Sequence, residues 1–207
     1  MPYFPYLAEG GRIGLRPYRP TDGAEFTARV CESRELHHPW LSPPETVEAY
    51  EAYAAPLIAG GAGDAAGGTA GGATGAAAAG RTGFLVCERE SGAIAGFVNV
   101  NNIVLGAFRC GALGYGAFAH AAGRGLMREG LALVVGHAFA ADGLALHRLE
   151  ANIQPGNAAS IALVRGLGFR LEGLSPDFLH VKGAWREHER WAITAEMPCP
   201  GVPHRTG

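Results

Sequence analysis

Two glycines bracket one arginine in the stretch His120–Phe139, HAAGRGLMREGLALVVGHAF, just ahead of a segment with helical periodicity. Inside a helix, glycine costs roughly 0.5–1 kcal/mol relative to alanine. At a helix mouth, Gly123 and Gly125 instead let a bulky anion approach backbone N–H groups that no Cβ shields. A second group with chemical potential is the Asn157-x-x-Ser160 spacing in PGNAASIALVRGLGF, where Asn157 has the form of a helix N-cap. His37 and His38 have no acidic or cysteine partner at ligand spacing, and Cys31, Cys87, Cys110 and Cys199 form no C-x-x-C pair, so no metal site is expected.

A glycine-rich turn alone is compatible with several anions. The dinucleotide pattern G-x-G-x-x-G is not met, because Gly130 comes too late and no βαβ repeat begins there. The G-K-[ST] of a phosphate-binding loop is absent. A coenzyme A pyrophosphate is the third candidate.

The elements that must position these groups follow from periodicity. Ile13–Pro17 reads as a strand, followed by a helix capped by Thr21 or Asp22 with Glu25 in its first turn. Glu45–Ile58 reads as a second helix. Residues 59–80 are nearly all glycine and alanine and cannot bury enough surface to offset their ordering entropy, which predicts a flexible surface insertion. Phe84–Glu88, Ile94–Asn101 and a stretch ending near Phe118 read as a three-strand meander. The glycine turn, a helix bearing Met127, Leu131, Val134, Ala138 and Phe139 on one face, the strand His147–Ile153 and the helix begun by Asn157 come next. Gly168 stops that helix, and the remainder reads as antiparallel strands turning at Lys182–Gly183, with a loose tail over 197–207. The expected architecture is one α/β domain over 1–207, a mixed sheet with helices on both faces.

At 207 residues and 48% hydrophobic, the chain can build a full core. A formal charge of −2 argues against direct nucleic-acid binding. The N-terminal MPYFPYLAEGGR lacks a signal-peptide pattern and no apolar run is long enough to span a membrane. Four cysteines without an export signal fit a reducing cytoplasm.

Taken in order, GYGAFAHAAGRGLMREGLALVVGHAF and HRLEANIQPGNAASIALVRGLGF resemble the cofactor-binding core of the GNAT acyltransferases, and more closely the ribosomal-protein-alanine and -serine N-acetyltransferases. GRGLM, Asn157 with Ser160, GFRLEG, HHPWL, GFVNVNNIVLGAF and DFLHVKGAWREHERWAIT carry the resemblance, which covers about residues 10–196. It implies a mostly antiparallel central sheet that splays between the strand before the glycine turn and the next strand. It implies acetyl-CoA as co-substrate. The pyrophosphate would rest on the amides of Ala122, Gly123, Arg124, Gly125, Leu126 and Met127, and the pantetheine arm would run along Leu113, Gly114 and Tyr115 like an added strand. Asn157 and Ser160 would sit near the thioester sulfur.

The implied reaction is attack of a neutral amine on the acetyl carbonyl. At neutral pH roughly a tenth of an N-terminal amine (pKa about 8) is free, against well under a hundredth of a lysine amine (about 10.4). Glu172, directly or through water, is the base the resemblance suggests, and Ser160 the proton donor to the thiolate. The tyrosine that much of the superfamily places seven residues after the asparagine is Val164 here, which shifts weight to Ser160 or to solvent. Asn99, Asn101 and Trp40 are the expected acceptor contacts; an edge-strand role for the asparagines and groove packing for Trp40 are the alternatives. The expected acceptor is a protein or peptide N-terminus, with a ribosomal protein as the kind the resemblance implies, handled by a monomer or homodimer. A small amine such as an antibiotic or polyamine, and a cofactor-binding module without turnover, are the rival readings.

Overall fold

The computed structural model describes residues 6–62 and 80–202. Its strands are β1 (Ala8–Glu9), β2 (Ile13–Pro17), β3 (Gly80–Glu88), β4 (Ile94–Val104), β5 (Cys110–Ala117), β6 (Arg148–Ile153), β7 (Arg170–Val181) and β8 (Ala184–Thr194). Its helices are α1 (Gly23–Glu32), α2 (Arg34–His37), α3 (Val47–Ala62), α4 (Leu126–Phe139) and α5 (Ala158–Gly166). The strands form one sheet in the order β1-β2-β3-β4-β5-β6-β8-β7. Every pairing is antiparallel except β5 with β6, where the chain crosses over through α4.

The central strands are apolar on both faces because both faces are covered. Phe84 and Val86 of β3 join the core beneath α4 and α5, with Leu131, Val134, Val135, Val164 and Leu167. Leu85 and Cys87, offset by one residue, join a second core beneath α1 and α3, with Phe26, Val30, Tyr50 and Leu57. α4 lies close on the sheet at Gly130, where a Cβ would stand 2.7 Å from Val86. In β6 the alternation is direct: Leu149, Ala151 and Ile153 point into the α4–α5 core, whereas Arg148, Glu150 and Asn152 take the other face.

Several boundaries depart from the sequence reading. α3 continues through Ala62 and β3 begins at Gly80, so residues 59–62 and Gly80 belong to regular elements; 63–79 lie outside the described residues. Asp22 precedes α1 but does not cap it with its side chain. Its carboxylate instead accepts two bonds from Arg16 of β2, at 2.7 and 2.8 Å, and one from the Arg19 amide at 2.8 Å. The expected loose tail is packed as far as Val202: Cys199 is buried and Met197 and Val202 lie against the α4–α5 core. A small apolar surface there outweighs the entropy of a few terminal residues.

The Arg16–Asp22 pair ties the first central strand to the α1 layer with both side chains under a tenth exposed. Removing one partner leaves a buried, uncompensated charge. Asp22→Ala is expected to lower unfolding free energy by about 3–5 kcal/mol, read as a fall in the urea midpoint at unchanged slope.

Candidate active site

β5 and β6 pair at Cys110–Arg148, Gly111–Leu149, Ala112–Glu150 and Leu113–Ala151, and there the ladder stops. β5 continues through Gly114–Ala117, held only by β4 on its other side; β6 continues through Asn152 and Ile153, held by β8. Past Leu113 the strands form a fork whose inner edges have no ladder partner among the described residues. This is the splay expected between these two strands, and it places Leu113, Gly114 and Tyr115 along one prong.

The chain leaves β5 through Phe118 and the 3-10 turn Ala119–Ala121, and reaches α4 through Ala122–Gly125. Gly123 and Gly125 have φ of +72° and +76°, a left-handed region in which a Cβ is strained. Gly125 is the N-cap of α4 and has no side chain with which to cap it. The first amides of any helix lack intrahelical acceptors, so Leu126 and Met127 present N–H groups at the positive end of the dipole. A Cβ on Gly123 would meet nothing within 4 Å, so the turn faces open space. Glu129, the acid in the first turn, is neutralised by Arg12, whose amide and Nε donate to it at 2.8 and 3.0 Å. Arg12 Nη1 also braces the turn by donating to the Arg124 carbonyl at 2.9 Å. The Arg124 side chain, in contrast, is committed to Glu88 at 2.7 and 3.2 Å. What Arg124 offers an anion is its backbone.

On the α4–α5 side of the fork, Asn157 caps α5 by accepting the Ser160 amide at 3.2 Å. Ser160 Oγ lies 2.6 Å from Tyr115 Oη. Val164, one turn on, is fully buried in the core. Burial pushes the Tyr115 phenol up to about 12.

On the α1–α3 side, the three asparagines of β4 separate. Asn99 is buried: it accepts from Tyr18 at 3.0 Å and donates to Tyr53 at 2.5 Å. Those bonds account for its polarity inside a strand, so it is a structural group here rather than a free acceptor contact. Asn102 takes a φ of +52° at a register shift between β4 and β5, a conformation asparagine tolerates. Asn101 remains half-buried, with its amide nitrogen beside Gly114 at the fork. Trp40 sits over Gly156, just past the end of β6, and lines a pocket of about 380 Å³ with Gln154, Pro155, Asp177, Trp185 and Glu187. Trp185 is 61% exposed and forms a wall of this pocket.

Glu172 is clamped by Arg148 and Arg170. The arginine hydrogen bonds hold its carboxyl down to about 2. Glu150 on β6, one strand removed across β8, is held by Arg148 and Arg190. A carboxylate with two arginine partners is a weak proton acceptor, so the geometry does not support the base role expected for Glu172. Arg12, Glu88 and Arg190 escaped the sequence reading because their partners lie far along the chain, and Arg148 because its clamp on Glu172 spans 24 residues, with no motif to connect them.

His37 links α2 to the fork: its Nε2 donates to the Ala117 carbonyl at 2.8 Å, and Nδ1 is buried without a hydrogen-bond partner among the described residues. Nearby, Ser33 Oγ accepts the Ala119 amide at 2.9 Å. Among the described residues no group of three or more His, Cys, Asp or Glu could hold a metal ion, and no helix is long and apolar enough to cross a membrane.

A mixed sheet forked beside a glycine-opened helix is the layout of an acyl-CoA-type transferase domain, and comparison with known proteins agrees. The acetyltransferase (GNAT) domain model matches residues 12–170, and the chain belongs to this family. The ribosomal protein uS5-alanine N-acetyltransferase of Escherichia coli K12 is 36% identical over 108 residues, 52% of this chain and 55% of that protein. The chain thus spans about half the length of the curated relatives it matches. Among solved structures, Mycobacterium smegmatis RimJ in complex with CoA-disulfide is 29% identical with a TM-score of 0.72, covering 89% of this chain and 82% of that one. The ribosomal-protein-S5-alanine acetyltransferase of Vibrio fischeri, 22% identical, shares the fold at a TM-score of 0.74 over 90% of this chain and 95% of that one.

Two outcomes follow from the charges at the site. Glu172, depressed in the folded state, contributes stability that is full above the ordinary carboxylate range and is lost as pH falls towards about 2. The Tm difference between the unmodified chain and Glu172→Gln is therefore expected to be largest near neutral pH and to vanish at low pH. His37 is held below its ordinary value by burial, so the unfolded chain takes up its proton first and stability falls as pH drops below about 6.5. In His37→Gln, which keeps a donor for Ala117, part of that slope disappears. The difference between the two melting profiles isolates His37 from His120 and His137, which are also lowered.

Proposed function

We propose that this chain transfers the acetyl group of acetyl-CoA to an amine, and that the amine is the N-terminal α-amine of a protein or peptide. The observation that carries the first part is the fork between β5 and β6 opening beside an uncapped, glycine-entered α4. An extended pantetheine arm would complete the unpaired edge at Leu113, Gly114 and Tyr115 as an added strand. Its pyrophosphate would accept hydrogen bonds from the backbone amides between Ala122 and Met127, with Arg124 contributing its backbone N–H. The thioester would then lie near Asn157 and Ser160. Family membership and the CoA-disulfide complex of the Mycobacterium smegmatis relative support this placement.

The acceptor would approach from the α1–α3 side, between Asn101 and the Trp40 pocket. Its neutral nitrogen attacks the thioester carbonyl carbon, the C–S bond breaks with its electron pair on sulfur, and Ser160 protonates the thiolate. Both carboxylates on the adjoining β6–β7 face, Glu150 and Glu172, are spent on arginines. That favours an acceptor free at neutral pH without strong base assistance, which is the property of an α-amine. The uS5-alanine N-acetyltransferase of Escherichia coli supports a ribosomal protein as acceptor, and a ribosomal acceptor would place the reaction in the cytoplasm.

A second reading rests on one feature: Asp177 and Glu187 line the Trp40 pocket and make no ion pair among the described residues. Facing two tryptophans, they could receive a small polycationic amine.

The test is thiol release from acetyl-CoA with peptides beginning in Ala or Ser, the same peptides N-terminally blocked, and a panel including polyamines. Turnover of the free peptides that disappears on blocking is expected, with kcat/KM rising with pH to a plateau governed by an amine pKa of about 8. Turnover of polyamines alone would replace the peptide with the second reading. Binding of CoA without thiol release from any amine would reduce the chain to a cofactor-binding module. Gly123→Val, which strains the left-handed turn and projects methyls into the anion site, is expected to weaken CoA about tenfold or more in calorimetry; the strain also lowers Tm, so the titration is run well below the variant's own Tm, where it is fully folded.

A further inference from the structure

We infer that Tyr115 is the positioning residue that aims the Ser160 hydroxyl hydrogen at the thioester sulfur, and so performs from β5 the orienting work that α5 cannot perform from Val164. The inference rests on the acetyl-transfer reading above and adds to it the group that makes Ser160 an effective donor.

The geometry is specific. Tyr115 is two residues beyond the last β5–β6 pair, on the prong whose inner edge is free, and its side chain lies on the α4–α5 face with that of Leu113. Ser160 stands in the first turn of α5, with its backbone already fixed by the Asn157 cap. Their hydroxyls meet at 2.6 Å, a short and well-formed O–H···O contact. A serine hydroxyl otherwise rotates to suit its surroundings, and a donor that rotates delivers its proton poorly. Two hydroxyls in contact have two arrangements, and acidity chooses between them. A phenol is the stronger acid and better donor, even with Tyr115 pushed up by burial to about 12, and an aliphatic alcohol is the better acceptor. Tyr115 therefore donates to Ser160 Oγ. The Ser160 hydrogen is left uncommitted, and accepting a hydrogen bond makes that O–H a stronger donor in turn.

The step balances without another reactant. The amine nitrogen forms a bond to the acetyl carbon, the C–S bond breaks, and sulfur takes the Ser160 hydrogen to leave as the free thiol. The developing Ser160 alkoxide is stabilised by the Tyr115 O–H bond and recovers a proton from solvent, which has received the proton shed by the nitrogen. Val164 is fully buried among apolar neighbours and offers no competing hydroxyl.

Tyr115→Phe removes one oxygen and keeps the ring that packs against the core. The experiment measures kcat and the acetyl-CoA KM of Tyr115→Phe, Ser160→Ala and the double variant with the best acceptor from the amine panel, with CoA affinity by calorimetry alongside. The expected result is a kcat lower by about tenfold or more in Tyr115→Phe, below the roughly 10²–10⁴ assigned to complete proton transfer. KM and CoA affinity stay unchanged, and the double variant is no slower than Ser160→Ala, because the two hydroxyls act as one unit. Full kcat in Tyr115→Phe beside a slow Ser160→Ala would overturn the inference and leave acetyl transfer standing. A raised KM at unchanged kcat would also overturn it, making Tyr115 a packing wall for the pantetheine arm. An unmodified chain that binds CoA and releases no thiol would overturn both.

Discussion

The β5–β6 ladder ends at Leu113 and Ala151, and the arrangement of the site depends on that interruption. An unpaired strand edge is ordinarily a liability, because its N–H and C=O groups seek another chain. Here each prong is secured from the outside: β5 by β4 as far as Ala117, and β6 by β8 through Ile153. His37 and Ser33 add tethers at Ala117 and Ala119, where the prong turns towards α4. The fork stays open without strain on its own hydrogen bonds; in the acetyl-transfer reading proposed above, an extended thioester arm would supply the partner the two edges lack. The parallel pairing is what makes this possible. Its crossover connection carries the chain from the tip of one prong into α4, so the glycine turn and the open edge are consecutive in sequence.

Electrostatics at the turn are organised around the backbone. Arg12 cancels the one acid in the first turn of α4, and Glu88 takes the Arg124 guanidinium away from the open side. The amides and the helix dipole are left as the positive field. That field is fixed in direction and costs no side-chain entropy to apply. The same economy holds on the other side of the sheet, where Arg148, Arg170 and Arg190 share Glu150 and Glu172 in one network. A network of that kind rigidifies the β6–β8–β7 face, and in it the arginine hydrogen bonds hold Glu172 well below the ordinary carboxylate range.

Much of the scaffold was legible in the sequence because its signals are local. Alternation in RLEANI marked β6, Asn157 marked the start of α5, and Gly123 and Gly125 marked a turn that must enter left-handed space. Local signals failed where a residue's partner is remote. Asn99 looked like an acceptor contact and is consumed by Tyr18 and Tyr53; Asp22 looked like a cap and is consumed by Arg16. In both cases a tertiary hydrogen bond to a buried partner outweighed the local option, because an unmatched polar group in the core costs more than a missing cap. The tail beyond Pro198 carries no periodicity, and it is the groove beside α4 that gives Cys199 and Val202 a place to pack.

By itself, then, the sequence determined the order of the elements, the glycine-opened mouth of α4, the cap on α5 and the absence of a hydroxyl at Val164. These rest on φ preferences, capping and hydrophobic period, which act over a few residues. Tertiary structure alone decided where β5 and β6 part, that Arg124 turns to Glu88, that Glu172 is locked by two arginines, and that Tyr115 meets Ser160. Apart from the Arg170 side of the Glu172 clamp, which is two residues away, each of those depends on groups tens of residues apart, set by how two cores pack on opposite faces of one sheet.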